Sequence, residues 1–471
     1  MSSKPPFKKV LIANRGEIAV RILRACHELG IRTVSVYSKA DADALHAKLA
    51  HESICIGPPA ATDSYLNINA LVSAAAVTGA EAIHPGYGFL SENSSFAEIC
   101  DQCGITFIGP TVRNMQLMGD KEQARQIAME HNVPTIPGTV NAGIDAEAML
   151  LEAERIGFPV LIKARSGGGG RGMKIVESAD NFIPTFEQAK REVEAAFNDP
   201  YLYLEKYVPR ARHVEVQIIG DKQGNLVHLG ERDCSIQRRY QKLIEEAPAH
   251  GLRQETKDKM YEAAIGLAKG IKYASAGTIE FLVDIATQNF YFIEMNTRLQ
   301  VEHPVTEMVT HLDIVKEQIW VAAGRELSFK QEEVKLQGHA IEARINAEDP
   351  ETMMPSPGEI VGYHPPGGPG VRLDSAIYDR YRVPPYYDSL ISKLVVCGET
   401  REEAIQKLLV ALDEYIIGGI KTNMDLHRKV LRTEYFQTGN VHTKLLEELQ
   451  KIEAQAKSAE DEPERLKVGQ E

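Results

Sequence analysis

Over roughly the first 110 residues the apolar positions switch between two periods, the mark of alternating strands and helices. "KKVLIA", "IRTVSVYS", "ESICIG", "AEAIHPG" and "ITFIGP" are short apolar runs that predict strands. Between them, "GEIAVRILRACHELG", "LNINALVSAAAVTG" and "SFAEICDQCG" place apolar residues at helical spacing before a glycine stop. This alternation predicts an open parallel α/β domain. From about Thr111 the pattern changes. Two helical segments lead into the strand "FPVLIKA", a glycine loop, the strand "MKIVES" and a long helix. "RHVEVQIIGDKQGNLVHLGERDCSIQ" alternates and predicts a hairpin turning at Gln223-Gly224-Asn225. A helix near 253–270 precedes the strands "AGTIEFLVDI" and "NFYFIEMN". A last block opens near Gln337, with a Pro/Gly-rich stretch "YHPPGGPGVRLD" and the helix "REEAIQKLLVALDEYI". Residues 448–471 are charged and poor in apolar positions, which predicts a disordered tail.

The glycine loop, "KARSGGGGRGMKIVE", contains G-x-G-x-x-G at Gly167, Gly169 and Gly172. A dinucleotide-binding loop runs from a strand into a helix. This one lies between two strands, so it predicts a hairpin flap over nucleotide phosphates, with Lys163 at its base.

A chain of 471 residues exceeds one ordinary core, so several domains are expected. No apolar run reaches the ~20 residues of a membrane span, and the start of the chain carries no signal-peptide core. The net charge of -13 argues against a nucleic-acid partner. The six cysteines are sparse, which fits a reducing cytoplasm. Cys100-x-x-Cys103 is a lone pair in a helix and reads as structural.

Glu280 and Glu294 carry the candidate chemistry. With a hairpin centred on Thr287 they oppose each other across two strands, where like charges repel. A bound Mg²⁺ or Mn²⁺ would remove that repulsion, with Asn296 on the same face. Glu294, Asn296, Arg298, Gln300 and Glu302 occupy alternate positions, so extended backbone would line one surface with all five. Lys121, Lys163, Arg238, Arg239 and Lys242 could neutralise a triphosphate and a second anion.

"NRGEIAVRILRACHELG", "HPGYGFLSEN", "MGDK", "GGGGRGMKIV", "GERDCSIQRRYQK", "EEAPA", "FIEMNTRLQVEHPVTE", "INAEDP" and "PPYYDSLISKL" occur in this order. Together they resemble biotin carboxylase, the ATP-grasp component of biotin-dependent carboxylases. The resemblance implies an α/β and α+β multidomain fold: an N-terminal α/β domain over 1–118, an ATP-grasp domain over 119–336 with a mobile lid at about 135–208, and a C-terminal domain over 337–447. It implies that ATP and bicarbonate form carboxyphosphate, and that CO₂ then passes to N1′ of biotin on a carrier protein. Lys121, Lys163, Gly169 and Gly170 would contact ATP phosphates. Glu205, Lys206, Tyr207 and Val208 match the adenine hinge, and His213 and Gln237 the ribose region. Tyr240 stands near the phosphates where many members have histidine. Glu280, Glu294 and Asn296 match the metal site. Lys242, Arg298, Gln300, Val301 (through its backbone) and Glu302 match the bicarbonate pocket. Glu302 matches the general base, and Arg344 the residue that stabilises the biotin enolate.

Arg24, Glu28 and Arg372 fall where family members dimerise. Arg165-Ser166 departs from the small pair common before the glycines. The chain lacks an Ala-Met-Lys-Met-like biotinylation motif, since Lys174 sits in the flap strand, and it has no room for a carboxyltransferase. A stand-alone cytoplasmic subunit with separate carrier and transferase is therefore expected. Carbamoyl-phosphate synthetase also phosphorylates bicarbonate, but its large chain is duplicated and no duplication is visible here. A non-catalytic regulatory module would be marked by loss of a metal ligand or the base, and these residues are present.

Overall fold

The computed structural model describes residues 5–139, 142–164, 173–197 and 199–465. The predicted parallel domain is present. Strands β1 (Lys9–Ile12), β2 (Arg32–Ser38), β3 (Glu52–Gly57), β4 (Ala82–His84) and β5 (Thr106–Phe107) form one sheet in the order β3-β2-β1-β4-β5. Every pair in it is parallel. The short apolar run of β1 explains its central place. Val10 and Ile12 pack with Ile18 and Ile22 on one face, while Leu11 joins Val34, Leu71 and Phe96 on the other. A parallel strand covered on both faces needs apolar residues at every position, not alternate ones.

Three helices, not two, separate this domain from the next strand: Val112–Gly119, Lys121–Glu130 and Ala146–Ile156. Asp120 divides the first pair. Its extended backbone ends one helix, and its carboxylate accepts from the Gln123 N–H at 2.8 Å to open the next. Lys121 thereby stands at a helix start.

Strands β6 (Val160–Ala164), β7 (Lys174–Val176) and β8 (Leu202–Lys206) form a separate sheet in the order β7-β6-β8. With helix Phe182–Phe197 they enclose their own core, which includes Val160, Ile162, Phe182, Phe186 and Leu204. β6 and β7 pair antiparallel, as the hairpin reading of the flap requires. The flap's Gly169 and Gly170, with Arg165 and Ser166, lie outside the described residues.

The central sheet has eight strands: β9 (Ala211–Gly220), β10 (Leu226–Arg238), β11 (Gln241–Ala247), β12 (Ser275–Asp284), β13 (Phe290–Asn296), β14 (His339–Asn346) and two more from the C-terminal part. That part also holds short β15 (Gly358–Glu359) and β16 (Tyr363–His364), the sheet strand β17 (Val371–Ser375), short β18 (Arg382–Val383), the sheet strand β19 (Leu390–Gly398) and short β20 (Ile416–Ile417). The sheet order is β13-β12-β9-β10-β11-β14-β19-β17, so one continuous surface joins the central and C-terminal parts. The β9–β10 hairpin turns through Gln223–Asn225 as expected.

Of the charged segment 448–471, expected as a disordered tail, residues 448–465 instead continue a helix that spans Leu445–Arg465, and 466–471 lie outside the described residues. Leu446 and Leu449 seat its start on the C-terminal core, and Lys429 pairs with Glu453 at 2.5 Å. Its Ala, Glu, Gln and Lys residues are strong helix formers, which outweighs the scarcity of apolar positions. Among the described residues no helix is long and apolar enough to cross a membrane.

Candidate active site

The central sheet brings charges from separate strands into one row. Glu294 on β13 opposes Glu280 on β12, which opposes Glu215 on β9, which opposes Arg232 on β10. The Glu280–Glu294 facing pair is thus the one expected from a hairpin centred on Thr287. The ladder shifts by one residue just beyond it, where Phe281 meets Phe292 and Ile293 is extra. Three carboxylates in register repel one another, and two buried cations hold the inner two, Glu215 and Glu280. Arg232, fully buried, contacts Glu215 at 2.5 Å, Gln217 at 2.7 Å and Thr306 at 2.9 Å. Lys242 on β11 places its ammonium 2.6 Å from Glu215, 2.9 Å from Glu280 and 2.7 Å from Glu302.

Glu302 receives a second cation. Arg344 on β14 donates from Nη2 to Glu302 at 2.8 Å and from Nε to Glu245 at 2.5 Å. Burial alone would raise the Glu302 carboxyl, but Lys242, Arg344 and Arg232 outweigh it and hold the group well below the usual carboxylate range. Glu280 is likewise depressed, because Lys242 and His213 overcome its burial. Glu215 goes the other way. Burial, with Glu302 and Glu280 nearby, raises it against Arg232 and Lys242. Lys242 itself is raised well above the lysine range, its desolvation outweighed by Glu215 and Glu302.

Strand β13 ends at Asn296, so the five alternate residues from Glu294 to Glu302 do not form one extended strand. All five nevertheless line the same cavity, of about 970 Å³. Arg298 organises the irregular segment. Its guanidinium donates to Glu92 at 2.8 Å, to Asn296 Oδ1 at 3.0 Å and to Gln300 Oε1 at 3.0 Å. Asn296 turns its Nδ2, not its oxygen, to Glu280 at 2.9 Å. Glu280 and Glu294 fit a hard divalent cation by their oxygen chemistry. Among the described residues, the partners on their carboxylates are cations, a histidine and an amide N–H: Lys242, His213 at 2.9 Å and Asn296 on Glu280, and Lys121 at 3.2 Å on Glu294.

The cavity also gathers most of the other predicted residues that are described. Lys121, Lys163, Glu205, Lys206, Tyr207, Val208, His213, Gln237 and Tyr240 line it with Lys242, Val301 and Arg344. Lys163 pairs with Glu205, tying the base of the flap to β8. Lys206 donates to the carbonyls of Gly157 and Phe158 at 2.9 and 2.8 Å. Tyr240 sits in the β10–β11 turn with positive φ and is 76% exposed, so its ring is available to a ligand. Of the basic cluster, Lys242 lines the cavity, while Arg238 and Arg239 do not. Cys100 is buried and Cys103 exposed, both as free thiols. Arg372 pairs within the chain with Glu307 and Asp374, each at 2.7 Å.

Sequence reasoning missed Glu215, Arg232, Glu245 and Glu92. Glu215 had one signal: it is a charge within the buried strand "RHVEVQIIG", a position that demands a partner. The partners arrive from distant segments, which periodicity does not reveal.

The chain matches three protein families in succession. The N-terminal domain of biotin carboxylase matches residues 6–115. The ATP-binding domain of the carbamoyl-phosphate synthase L chain matches 120–330, and the C-terminal domain of biotin carboxylase matches 342–448. Biotin carboxylase 1 of Bacillus subtilis is 53% identical over 442 residues, covering 94% of this chain and 98% of that one. A pyruvate carboxylase subunit from Methanothermobacter thermautotrophicus is 50% identical over 443 residues, covering 94% and 90%. A solved dimer of the biotin carboxylase domain of Hydrogenobacter thermophilus 2-oxoglutarate carboxylase, in complex with MgADP, ADP and bicarbonate, superposes with a TM-score of 0.83. It is 48% identical and covers 94% of this chain and 97% of its own. The three successive domains and identities near one half over almost the full length agree: the chain belongs to the biotin carboxylase family.

Proposed function

We propose that the biotin carboxylation of this family runs here with Glu302 as the base. The observation that supports it most is the clamp on that carboxylate, 2.7 Å from the Lys242 ammonium and 2.8 Å from the Arg344 guanidinium. The clamp keeps Glu302 ionised and free to accept a proton. It also keeps the group weakly basic until an anion arrives. Bicarbonate, seated by Lys242, Arg298, Gln300 and the Val301 backbone, would take over hydrogen bonds that now end on Glu302. The carboxylate then becomes more basic where the bicarbonate proton lies, the match that general-base catalysis needs.

Glu302 takes that proton as a bicarbonate oxygen attacks the γ-phosphorus of ATP. The bond to the bridging oxygen breaks, leaving ADP and carboxyphosphate. Lys121, Lys163 and the glycine flap, with Gly169 and Gly170, hold the phosphates. Glu205, Lys206, Tyr207 and Val208 hold the adenine, and His213, Gln237 and Tyr240 flank the ribose and phosphates. Mg²⁺ or Mn²⁺ held by Glu280 and Glu294, with Asn296 alongside, would offset charge on the transferring phosphoryl group. Carboxyphosphate breaks into phosphate and CO₂. The released phosphate takes the N1′ proton of biotin, and N1′ attacks the CO₂ carbon, while Arg344 stabilises the enolate oxygen.

Biotin is a substrate here, presented on a separate carrier protein. A separate carboxyltransferase then passes the carboxyl group to the final acceptor. Homodimerisation and a reducing, cytoplasmic setting complete the reading; the six free cysteines fit the latter.

Glu302→Gln tests the base. It should lower biotin-dependent ATP turnover by about 10²–10⁴-fold, while calorimetry still shows ATP binding. Turnover at the unmutated rate would overturn the assignment.

A further inference from the structure

Lys393 is a lysine with 0% of its side chain exposed, on β19 beside Arg344 of β14. Burying an ammonium costs several kcal/mol unless it is well paired, so its partners indicate what it is for. Its shortest polar contact is not to a carboxylate. Nζ donates to the Val301 carbonyl at 2.8 Å, while Glu17 lies at 3.3 Å. Glu342, also buried nearby, has no hydrogen-bond partner on either oxygen among the described residues, so Lys393 does not serve it directly. The ammonium also stands 5.6 Å from the ring centre of Tyr87, within cation–π range.

These partners come from different parts of the molecule. Glu17 and Tyr87 belong to the N-terminal domain, Val301 follows the β12–β13 hairpin, and Lys393 is C-terminal. The Val301 carbonyl shares its peptide plane with the N–H of Glu302. Because that peptide is planar, fixing its oxygen fixes the backbone from which the Glu302 side chain departs. Glu302 also precedes helix His303–Thr310, so the plane is held at one end by Lys393 and at the other by the helix start.

We propose that Lys393 is a positioning residue for bicarbonate: its ammonium pins the 301–302 peptide and so holds the bicarbonate-facing backbone and the Glu302 base in register. The proposal rests on the roles given above to Val301 and Glu302. It makes the bicarbonate pocket depend on all three domains, since Glu17 steadies the ammonium from the N-terminal side. It also predicts a selective defect. A displaced peptide plane degrades the small-anion pocket and leaves the adenine hinge, on β8 and beyond, in place.

The test is steady-state kinetics of the full chain with ATP, Mg²⁺, bicarbonate and free biotin. Lys393→Met should raise KM for bicarbonate about tenfold or more, with KM for ATP within about twofold of wild type. At pH 8, above the value of about 7 to which burial raises the Glu17 carboxyl, Glu17→Gln keeps the space but removes the counter-charge, and should raise KM for bicarbonate about threefold with the same selectivity. If Lys393→Met does not fold, Glu17→Gln decides by that ratio. An unchanged KM for bicarbonate, or equal rises for ATP and bicarbonate, overturns the proposal. Glu302→Gln run alongside separates the two readings. If it stays active, the base assignment fails. If it is inactive while Lys393→Met keeps the wild-type KM for bicarbonate, only the positioning role fails.

Discussion

Glu245 and Glu246 are neighbours on β11, and they live in opposite electrostatic worlds. Glu245 lies on the face that carries Arg344, behind the cavity wall. It accepts one bond from Arg344, its other oxygen has no partner among the described residues, and it directly opposes Glu342 across the ladder. Burial, with Glu302 close by, pushes its carboxyl up to about 7 in spite of Arg344. Glu246 points to the other face. It accepts from His339 at 2.8 Å and from Arg401 at 2.7 Å, and these partners overcome burial to hold it far below the carboxylate range. Strand alternation puts the two side chains on opposite faces. One face of the sheet holds crowded, incompletely paired charge suited to binding anions and moving protons. The other holds a closed ion-pair cluster suited to stability.

The largest effect that sharpens this contrast belongs to Glu246. Glu246→Gln should destabilise the fold by about 3–5 kcal/mol, because Arg401 keeps a buried charge without its counter-ion. Denaturant unfolding measures this. The sign with pH follows from the depressed carboxyl: its contribution is present above the unfolded value of 4.5 and is lost as pH falls through the folded value. The gap between wild type and variant should therefore shrink in acid, and KM values at neutral pH should stay near wild type.

Glu294→Ala comes next and inverts the pattern. Turnover should fall about 10–100-fold, measured as phosphate release over a Mg²⁺ titration. The unfolding midpoint should barely move, since the ion pair of Glu294 with Lys121 is solvent-exposed and worth about 0–1 kcal/mol. Full activity without divalent metal would break the metal assignment.

A third effect belongs to Glu245. A carboxyl raised to about 7 binds a proton in the folded state that the unfolded chain has already lost. Its contribution is complete below pH 4.5 and disappears as pH rises through about 7. Relative to Glu245→Gln, the wild type should lose about 2.5 kcal/mol between pH 5 and pH 8, read from unfolding curves at the two pH values. A wild type that gained stability over that interval would contradict the two-face account.

The same contrast separates what could be read in the sequence from what could not. The α/β domain and the β9–β10 hairpin follow from local periodicity, so they were legible. The Glu280–Glu294 register was legible because one short turn fixes a hairpin. The shift that makes Ile293 extra was not, since nothing in "NFYFIEMN" marks it. The run from Glu294 to Glu302 does line one cavity, but not as extended backbone: the strand stops at Asn296, and Arg298 gathers the rest by hydrogen bonds. Glu215, Arg232 and Lys393 were hidden because each takes its meaning from partners far along the chain. The "EEAPA" motif showed two glutamates but not which face each would take. The helix through Arg465 was missed because composition was weighed above helix propensity.

The central claim is that the clamped Glu302 and its cavity carboxylate biotin at the expense of ATP. The most direct measurement is phosphate release from ATP with Mg²⁺ and bicarbonate, with and without free biotin. The account predicts release that requires bicarbonate and rises strongly when biotin is added. ATP binding without bicarbonate-dependent, biotin-stimulated release would contradict it.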